Sequence, residues 1–193
     1  MRMKKIVFDI ETKNIFSEVG STNPADLDLS LIAIYDYEKD EYSSYLEDEL
    51  SKLWPILEKA DMLIGFNSDH FDIPLLNKYY PGDLTKIKSL DLLKETRDSI
   101  GKRFKLDNFA KTTLGKGKIG NGLEALVWWK NGDVEKVRKY CIEDVRITKD
   151  LYEYALKNKH LKCFDGVGNI EVKLDTSSWE EKENTVLTHT LPF

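Results

Sequence analysis

This sequence of 193 residues has only two cysteines, no long apolar run and no excess of positive charge. The two cysteines, Cys141 and Cys163, have neither metal-site nor disulfide spacing, so we expect buried, reduced thiols and a cytoplasmic protein. No apolar run approaches the ~18–20 residues needed to span a bilayer, so we expect no membrane partner. The net charge of −5 argues against a protein that coats nucleic acid along its length.

Internal repeats and linker-like stretches are also missing, and the 41% apolar content is sufficient for one sizeable core. Near the C-terminus the sequence changes in character, because residues 161–174 predict a small β-hairpin and residues 175–193 read as a polar tail with Trp179 as its anchor. We therefore expect one domain over residues 1–160, followed by a hairpin and tail over residues 161–193 that do not form a separate domain.

Apolar patterning predicts a mixed sheet covered by helices. The stretch KKIVFDI predicts a central buried strand, and LIAIYDY and EYSSYL, separated by the turn-like EKD, predict a hairpin paired to it. Two further strands are expected in DMLIGF and TKIKSL. Helices are expected in EDELSKLWPILEKA, where Pro55 should kink or shorten the helix, in FDIPLLNKYY, and over residues 133–158. This order indicates an α/β fold.

Acidic residues stand where several of these elements end or present a face. Asp9 and Glu11 are two residues apart on a strand and therefore point to the same face. Asp72 follows a predicted strand after a short turn, and Tyr140 and Asp144 are four apart on one helix face. Taken singly, Asp72 is more simply a helix N-cap and Asp144 half of a surface ion pair.

Four converging carboxylates would repel one another strongly, and hard cations with oxygen ligands relieve that repulsion. A pair of divalent ions roughly 4 Å apart is the known device for in-line displacement at phosphorus. The sequence therefore predicts two divalent cations, Mg²⁺ or Mn²⁺, if the four acids converge.

The segments FDIET, FNSDHFD and YCIED stand in an order that resembles the three motifs of the DEDD 3′–5′ exonucleases. The last motif has the Tyr-x-x-x-Asp form, so the resemblance is to the DEDDy branch. The middle motif is similar to that of the proofreading exonuclease domains of B-family DNA polymerases. The resemblance covers about residues 3–157 and implies an RNase H-like fold, in which helices flank a mixed β-sheet.

The resemblance also implies a role for each motif residue. Asp9 would bridge two cations, Glu11 and Asp144 would complete the tighter site, and Asp72 would help to hold the second ion. Tyr140 would position the attacking water. Two residues of the middle motif are candidate substrate-binding residues: Asn67 would contact the 3′-terminal nucleotide or a bound water, and Phe71 would pack or stack.

A basic segment, residues 86–118, lies between the second and third motifs. Alone it reads as a solvated helix face, but a strand-cleaving site needs a cationic path, so we include Lys105 and Lys116 among the substrate-binding candidates. Its cations after residue 100 are Lys102, Arg103, Lys105, Lys111, Lys116 and Lys118.

Some acids next to the motifs invite misassignment. We interpret Asp69 as a turn or cap residue, Glu143 as a solvated helix acid and Asp91 as a cap. We favour Trp128 and Trp129 as core residues, with a stacking surface on one of them as the alternative.

These features favour a metal-dependent 3′–5′ exonuclease that hydrolyses single-stranded DNA from its 3′ end and releases nucleoside 5′-monophosphates. DNA is preferred over RNA because the middle motif resembles that of the polymerases. Two alternatives stay open: an exoribonuclease of the RNase D type, and a non-catalytic nucleic-acid-binding module, against which the intact acids argue. The C-terminal LTHTLPF could dock into a protein partner, although we favour an unstructured terminus.

Overall fold

A five-stranded mixed sheet forms the centre of the computed structural model, which describes residues 3–117 and 120–181. The five strands of this sheet are β1 (Lys5–Thr12), β2 (Leu29–Asp36), β3 (Glu41–Leu46), β4 (Met62–Gly65) and β5 (Lys88–Asp91). Two further strands, β6 (His160–Phe164) and β7 (Asn169–Lys173), pair with each other. The helices are α1 (Phe16–Val19), α2 (Leu50–Leu57), α3 (Asp72–Asn77), α4 (Leu92–Ile100), α5 (Leu106–Phe109), α6 (Gly122–Lys130) and α7 (Val134–Asn158). A π-helical turn, Ala110–Leu114, follows α5.

The strand order in the sheet is β3-β2-β1-β4-β5. β2 and β3 form an antiparallel hairpin beside β1, whereas β4 and β5 run parallel to β1. The predicted α/β fold with a mixed sheet is therefore confirmed, as is the small second sheet that β6 and β7 form near the C-terminus.

Central strand β1 is apolar on both faces because both faces are covered. Its even-numbered residues, including Phe8, pack into a cluster with α2 and α3. Its odd-numbered Val7 packs into a second cluster together with α7. Side chains alternate along a strand, so Asp9 and Glu11 lie on the same face as Val7, the face that α7 covers.

The end of β1 extends beyond one of its neighbours. β4 pairs with β1 only from Lys5 to Val7, whereas the pairing with β2 continues to Thr12 through a register shift after Glu11. The stretch from Asp9 to Glu11 therefore has no β4 partner beside it. This gap in the sheet leaves room for side chains from the helices.

Local chemistry explains where the elements differ from expectation. Helix α2 is only 8 residues long and contains Pro55, in keeping with the predicted shortening. Strand β5 begins at Lys88, because the preceding Leu84–Lys86 forms a 3-10 turn, in which the Asp83 side chain accepts from the Thr85 N–H. Helix α7 begins one residue later than predicted and ends at Asn158 as expected.

The hairpin and the segment after it pack onto the same core as α7. Leu161 and Val172 belong to the cluster that contains Val7. Beyond the hairpin, Trp179 is buried and stacks on Tyr152 of α7, with ring centroids 5.9 Å apart, and its Nε1 donates to Glu95. These contacts support the proposal that residues 161–181 are part of one domain with the sheet; a boundary after residue 160 stays a prediction.

A search of the described residues, 3–117 and 120–181, finds no helix with the length and apolarity to cross a bilayer.

We predict that Trp179→Ala lowers the free energy of unfolding by about 3 kcal/mol, because the buried indole leaves a cavity against Tyr152. Urea unfolding followed by circular dichroism measures the change. Val167→Ala, at a site 94% exposed on the hairpin loop, is the control and should change stability by no more than about 0.5 kcal/mol. Equal stability of the Trp179→Ala variant and the native protein would contradict the packing described above.

Candidate active site

Three side chains from β1 and α7 meet at the gap beside β4. One potential ligand atom each from Asp9, Glu11 and Cys141 lies within 4.8 Å of the others. Asp9 and Glu11 are half-buried, whereas Cys141 is completely buried. The two acids reach this position from alternate residues of β1, as the sequence predicts.

Tyr140 and Asp144 lie one helical turn apart on α7 and join this cluster. Both are at least 95% buried. Burial raises the pKa of the Tyr140 phenol, and the negative charges of Asp144, Glu11 and Asp9 raise it further, as does a hydrogen bond to Asp144. The phenol ring is also supported by Trp128, which meets it edge-on at 6.1 Å between ring centroids. These groups therefore share one strongly negative pocket.

Asp72 is the first residue of α3 and reaches the edge of β1 beyond the point where the pairing with β4 ends. Its Oδ1 accepts a hydrogen bond of 3.0 Å from the Ile10 backbone N–H, between Asp9 and Glu11. Burial raises the pKa of Asp72 well above its usual value, and the charges of Asp9 and then Asp91 contribute. The structure thus brings all four sequence-predicted acids and Tyr140 into one neighbourhood.

Cys141 lies inside the acidic cluster, a position that the cysteine count alone did not predict. Its thiol donates to the Asp9 backbone carbonyl at 3.2 Å. Burial raises the pKa of the thiol well above its usual value, and Asp9, Glu11 and Asp144 raise it further. Mg²⁺ and Mn²⁺ prefer oxygen ligands, and this thiol bonds to the Asp9 carbonyl, so we interpret Cys141 as support for the β1 backbone. The sequence could have indicated this position, because Cys141 is three residues from Asp144 on one predicted helix and therefore lies near the same helix face.

The acids fit a divalent cation. Their oxygen donors are the type that Mg²⁺ and Mn²⁺ prefer, and they are presented by a strand and two helices rather than one flexible loop. Burial contributes most to the raised pKa of Tyr140, and the charges of the neighbouring carboxylates raise that pKa further. A cation at Asp9 and Glu11 would neutralise those charges.

The turn between β4 and α3 places Asn67 beside this pocket. Asn67 adopts a left-handed backbone conformation, φ +67°. Gly65 precedes the turn at a point of close approach, because a Cβ there would lie 2.4 Å from the Ser68 side chain. The turn is therefore fixed by residue size as well as by hydrogen bonds.

Asp91 holds this turn in place through four backbone donors. Its carboxylate accepts from the N–H groups of Asn67 and Asp69 at 2.7 and 3.2 Å, and from Leu93 and Lys94 at 2.9 and 3.3 Å. The capping role of Asp91 was predicted from its position before an apolar helical segment, whereas its bonds to the turn were not predicted. Residue 91 therefore ties the start of α4 to the residues that carry Asn67.

A cavity of about 610 Å³ opens next to Tyr140 and Asn67. Arg103 lies at its edge and donates a hydrogen bond of 2.7 Å to the Asn67 Oδ1. Lys105, one of the predicted substrate contacts, lines the cavity, and so does Lys111. Cationic side chains thus stand beside the acidic pocket.

The other predicted substrate contacts lie elsewhere in the described part of the chain. Phe71 packs edge-on against Phe16, with ring centroids 6.2 Å apart, and Lys116 pairs with Asp150 at 2.7 Å. In the segments that the structure describes, neither is among the residues that line the cavity. Lys118 and the LTHTLPF tail lie outside the described residues.

The acids next to the motifs have partners outside the pocket. Asp69 accepts a hydrogen bond of 2.6 Å from Ser89 and lies 3.6 Å from the Lys94 ammonium. Glu143 pairs with Arg146 at 2.5 Å. The contacts of Asp69 agree with its interpretation as a turn residue. Glu143 differs from the predicted solvated acid, because its side chain is only 19% exposed and forms an ion pair within α7.

Comparisons with known proteins agree with the fold. The sequence model of the RNase_H superfamily matches residues 6–156, and the chain belongs to this superfamily. Among curated proteins no match to the chain was found. Among solved structures, the chain is similar to the family B DNA polymerase from the hyperthermophilic archaeon Pyrobaculum calidifontis, with a TM-score of 0.61 and 18% identity. The match covers 81% of this chain and 25% of the polymerase chain, so it shows a shared fold over a quarter of that protein.

We predict that Asp91→Ala destabilises the protein by about 2–3 kcal/mol, because buried N–H groups of the turn and of α4 lose their acceptor. Chemical unfolding measures the loss. Asp83→Ala is the matched control, since Asp83 also caps a turn but is exposed, and it should cost less than about 1 kcal/mol. Similar losses for the two variants would contradict the bridging role of Asp91.

Proposed function

We propose that the chain is a metal-dependent nuclease that removes nucleotides from the 3′ end of a single strand of DNA. The observation that carries this proposal is the convergence of Asp9, Glu11 and Asp144 with Tyr140 at one end of the sheet. Membership of the RNase_H superfamily and the shared fold with a DNA polymerase support a nuclease. The direction of attack and the preference for DNA rest on the resemblance of the three motifs.

The four acids would hold two divalent cations, with Asp9 and Glu11 from β1, Asp144 from α7 and Asp72 from α3. When bound, the cations neutralise negative charge that develops at phosphorus and at the leaving oxygen. The chain contributes fixed positions for these ligands. Asp72 is tied to the backbone between Asp9 and Glu11, and the thiol of Cys141 is tied to Asp9 itself.

Tyr140 would orient the water that attacks the phosphodiester. Its raised pKa keeps the phenol neutral, so the hydroxyl can donate one hydrogen bond and accept another. Asp144 and Trp128 restrict the orientation of the ring and hydroxyl. The water oxygen bonds to phosphorus as the water gives up a proton to solvent. The bond from phosphorus to the 3′ oxygen of the preceding nucleotide breaks, that oxygen takes up a proton, and a nucleoside 5′-monophosphate leaves.

An exoribonuclease is the second candidate, because the same motifs occur in the RNase D type and nothing in the acidic pocket distinguishes deoxyribose from ribose. End-labelled single-stranded DNA and RNA of one sequence, incubated with Mn²⁺, Mg²⁺ or EDTA, would separate the two. Stepwise shortening of DNA from the 3′ end, abolished by EDTA, is the expected result. Faster shortening of RNA would favour the exoribonuclease, and binding without cleavage would favour a non-catalytic module.

We predict that Asp144→Asn lowers kcat at least about a hundredfold, because a cation ligand loses its charge. Glu143→Gln is the matched control: this acid is the sequence neighbour of Asp144 but pairs with Arg146, and its substitution should change kcat less than about threefold. Initial rates on labelled single-stranded DNA give both values. A comparable loss of kcat in the two variants would contradict the assignment of Asp144 as a cation ligand.

We also predict that Tyr140→Phe lowers kcat by about a hundredfold while Mn²⁺ affinity stays within about twofold, because the hydroxyl positions water and the carboxylates bind the ion. Rates on labelled DNA, together with calorimetric Mn²⁺ titration, test the two parts separately. Loss of Mn²⁺ binding in this variant would refute the role given to Tyr140.

A further inference from the structure

A second cavity of about 490 Å³ adjoins the cavity beside Tyr140. The two share five lining residues, and the second one extends to Phe164, at the end of β6 in the C-terminal hairpin. The shared residues are Arg103, Phe104, Lys105, Asp107 and Lys111. We call the two cavities together the α5 groove.

Phe164 is an exposed aromatic residue on a firmly held backbone. The residue is 47% exposed. Asn108 of α5 donates from its amide to the Phe164 carbonyl and accepts from the Phe164 N–H, both at 2.8 Å. Two residues earlier on β6, the Thr113 hydroxyl donates to the Lys162 carbonyl at 2.8 Å and accepts from the Lys162 N–H at 2.9 Å. Four hydrogen bonds thus fix the hairpin edge against the groove while the ring of Phe164 stays accessible.

The inner part of the groove combines aromatic and cationic side chains. Phe66 and Phe104 line the inner cavity, and each contacts the buried Phe109 edge-on, with ring centroids 6.0 and 6.2 Å apart. Arg103, Lys105 and Lys111 line both cavities, against one carboxylate, Asp107, which pairs with Lys111 at 2.7 Å. The three cations therefore outnumber the acid along the whole groove.

Aromatic surfaces with interleaved cations are how proteins bind single-stranded nucleic acid without reading its sequence. Each base stacks on a ring and each phosphate pairs with a cation. Pockets of this volume also suit ligands of nucleotide size. The groove offers both kinds of contact at its inner end and again at Phe164.

We propose that the α5 groove binds two successive nucleotides of a single strand, the inner one beside Tyr140 and the outer one stacked on Phe164. This inference rests on the proposed function for its ligand and assigns a role to the C-terminal hairpin: β6 supplies the outer wall of the substrate groove. Arg103, Lys105 and Lys111 contact the phosphates of these two nucleotides.

The test compares thymidine 5′-monophosphate with the 5′-phosphorylated dinucleotide of thymidine, titrated calorimetrically in EDTA so that no hydrolysis occurs. The native protein should bind the dinucleotide more tightly than the mononucleotide. Phe164→Ser should lower dinucleotide affinity roughly tenfold and leave mononucleotide affinity within about twofold, because only the outer base stacks on this ring.

Val167→Ser is the matched control, since Val167 is an exposed apolar residue of the same hairpin and, among the described residues, lines neither cavity. It should leave both affinities unchanged. An equal effect of the two substitutions, an equal loss for both ligands, or no gain from mononucleotide to dinucleotide in the native protein would each overturn the assignment of Phe164.

A cation comparison tests the phosphate contacts in the same assay. Lys111→Gln should weaken dinucleotide binding about fivefold. Lys52→Gln should not, because Lys52 is similarly exposed and also pairs with a nearby carboxylate but, among the described residues, lines neither cavity. Equal effects of the two variants would overturn the phosphate path.

The binding assay tests the α5 groove and the nuclease assay tests the proposed function, so each proposal can be refuted without the other. If dinucleotide binding depends on Phe164 but no strand is shortened with Mn²⁺ or Mg²⁺, the proposed nuclease function is wrong and the groove stands. If strands are shortened and Phe164→Ser changes neither dinucleotide affinity nor KM, the groove is wrong and the nuclease stands.

Discussion

Asp9 and Glu11 lie two residues apart on one face of β1, and α7 brings Asp144 to the same face, so carboxylates repel one another in a half-buried pocket. Away from bulk water this repulsion is stronger than it would be on the surface. The architecture around the pocket resists it. β2 pairs with β1 along the whole of the pocket and β4 pairs with the first part of β1. Helix α7 packs across that face of the sheet, and Asp72 and Cys141 each hydrogen-bond the β1 backbone. The acids are thus held where a cation would lower their energy.

A second layer of contacts transmits this rigidity to the residues that would meet substrate. Asp91 gathers N–H groups from the Asn67 turn and from α4 onto one buried carboxylate. Arg103 contacts Asn67 from the segment between α4 and α5, and Asn108 connects α5 to the hairpin. Hydrogen bonds between side chains and backbone therefore link the Asn67 turn beside the acidic pocket to the α5 groove, and the α5 groove to the hairpin.

Local patterning was sufficient to predict much of this structure. Two-residue spacing on β1 and four-residue spacing on α7 determine which face carries Asp9, Glu11, Tyr140 and Asp144, and these periodicities are visible in any single sequence. The β2–β3 and β6–β7 hairpins follow from strand patterning around turn residues in the same way.

Other features depend on contacts between distant segments, which periodicity does not encode. The bond from Asp91 to Asn67, the position of Lys111 at the groove and the pairing of Lys116 with Asp150 all depend on how α4, α5 and α7 pack. A basic segment in sequence therefore predicted that cations would be present but not which of them face the site. The position of Phe164 at the groove could not be predicted either, because no local sequence pattern shows what an exposed aromatic residue at a strand end faces.

Binding of Mn²⁺ is the most direct test of the central claim that β1 and α7 form a cation site. Titration of the protein with Mn²⁺, followed by the electron paramagnetic resonance signal of the free ion, counts the bound ions without substrate or turnover. Saturable binding by the native protein that is lost in Asp9→Asn and retained in Glu143→Gln is the predicted result. Unchanged Mn²⁺ binding in Asp9→Asn would contradict the account.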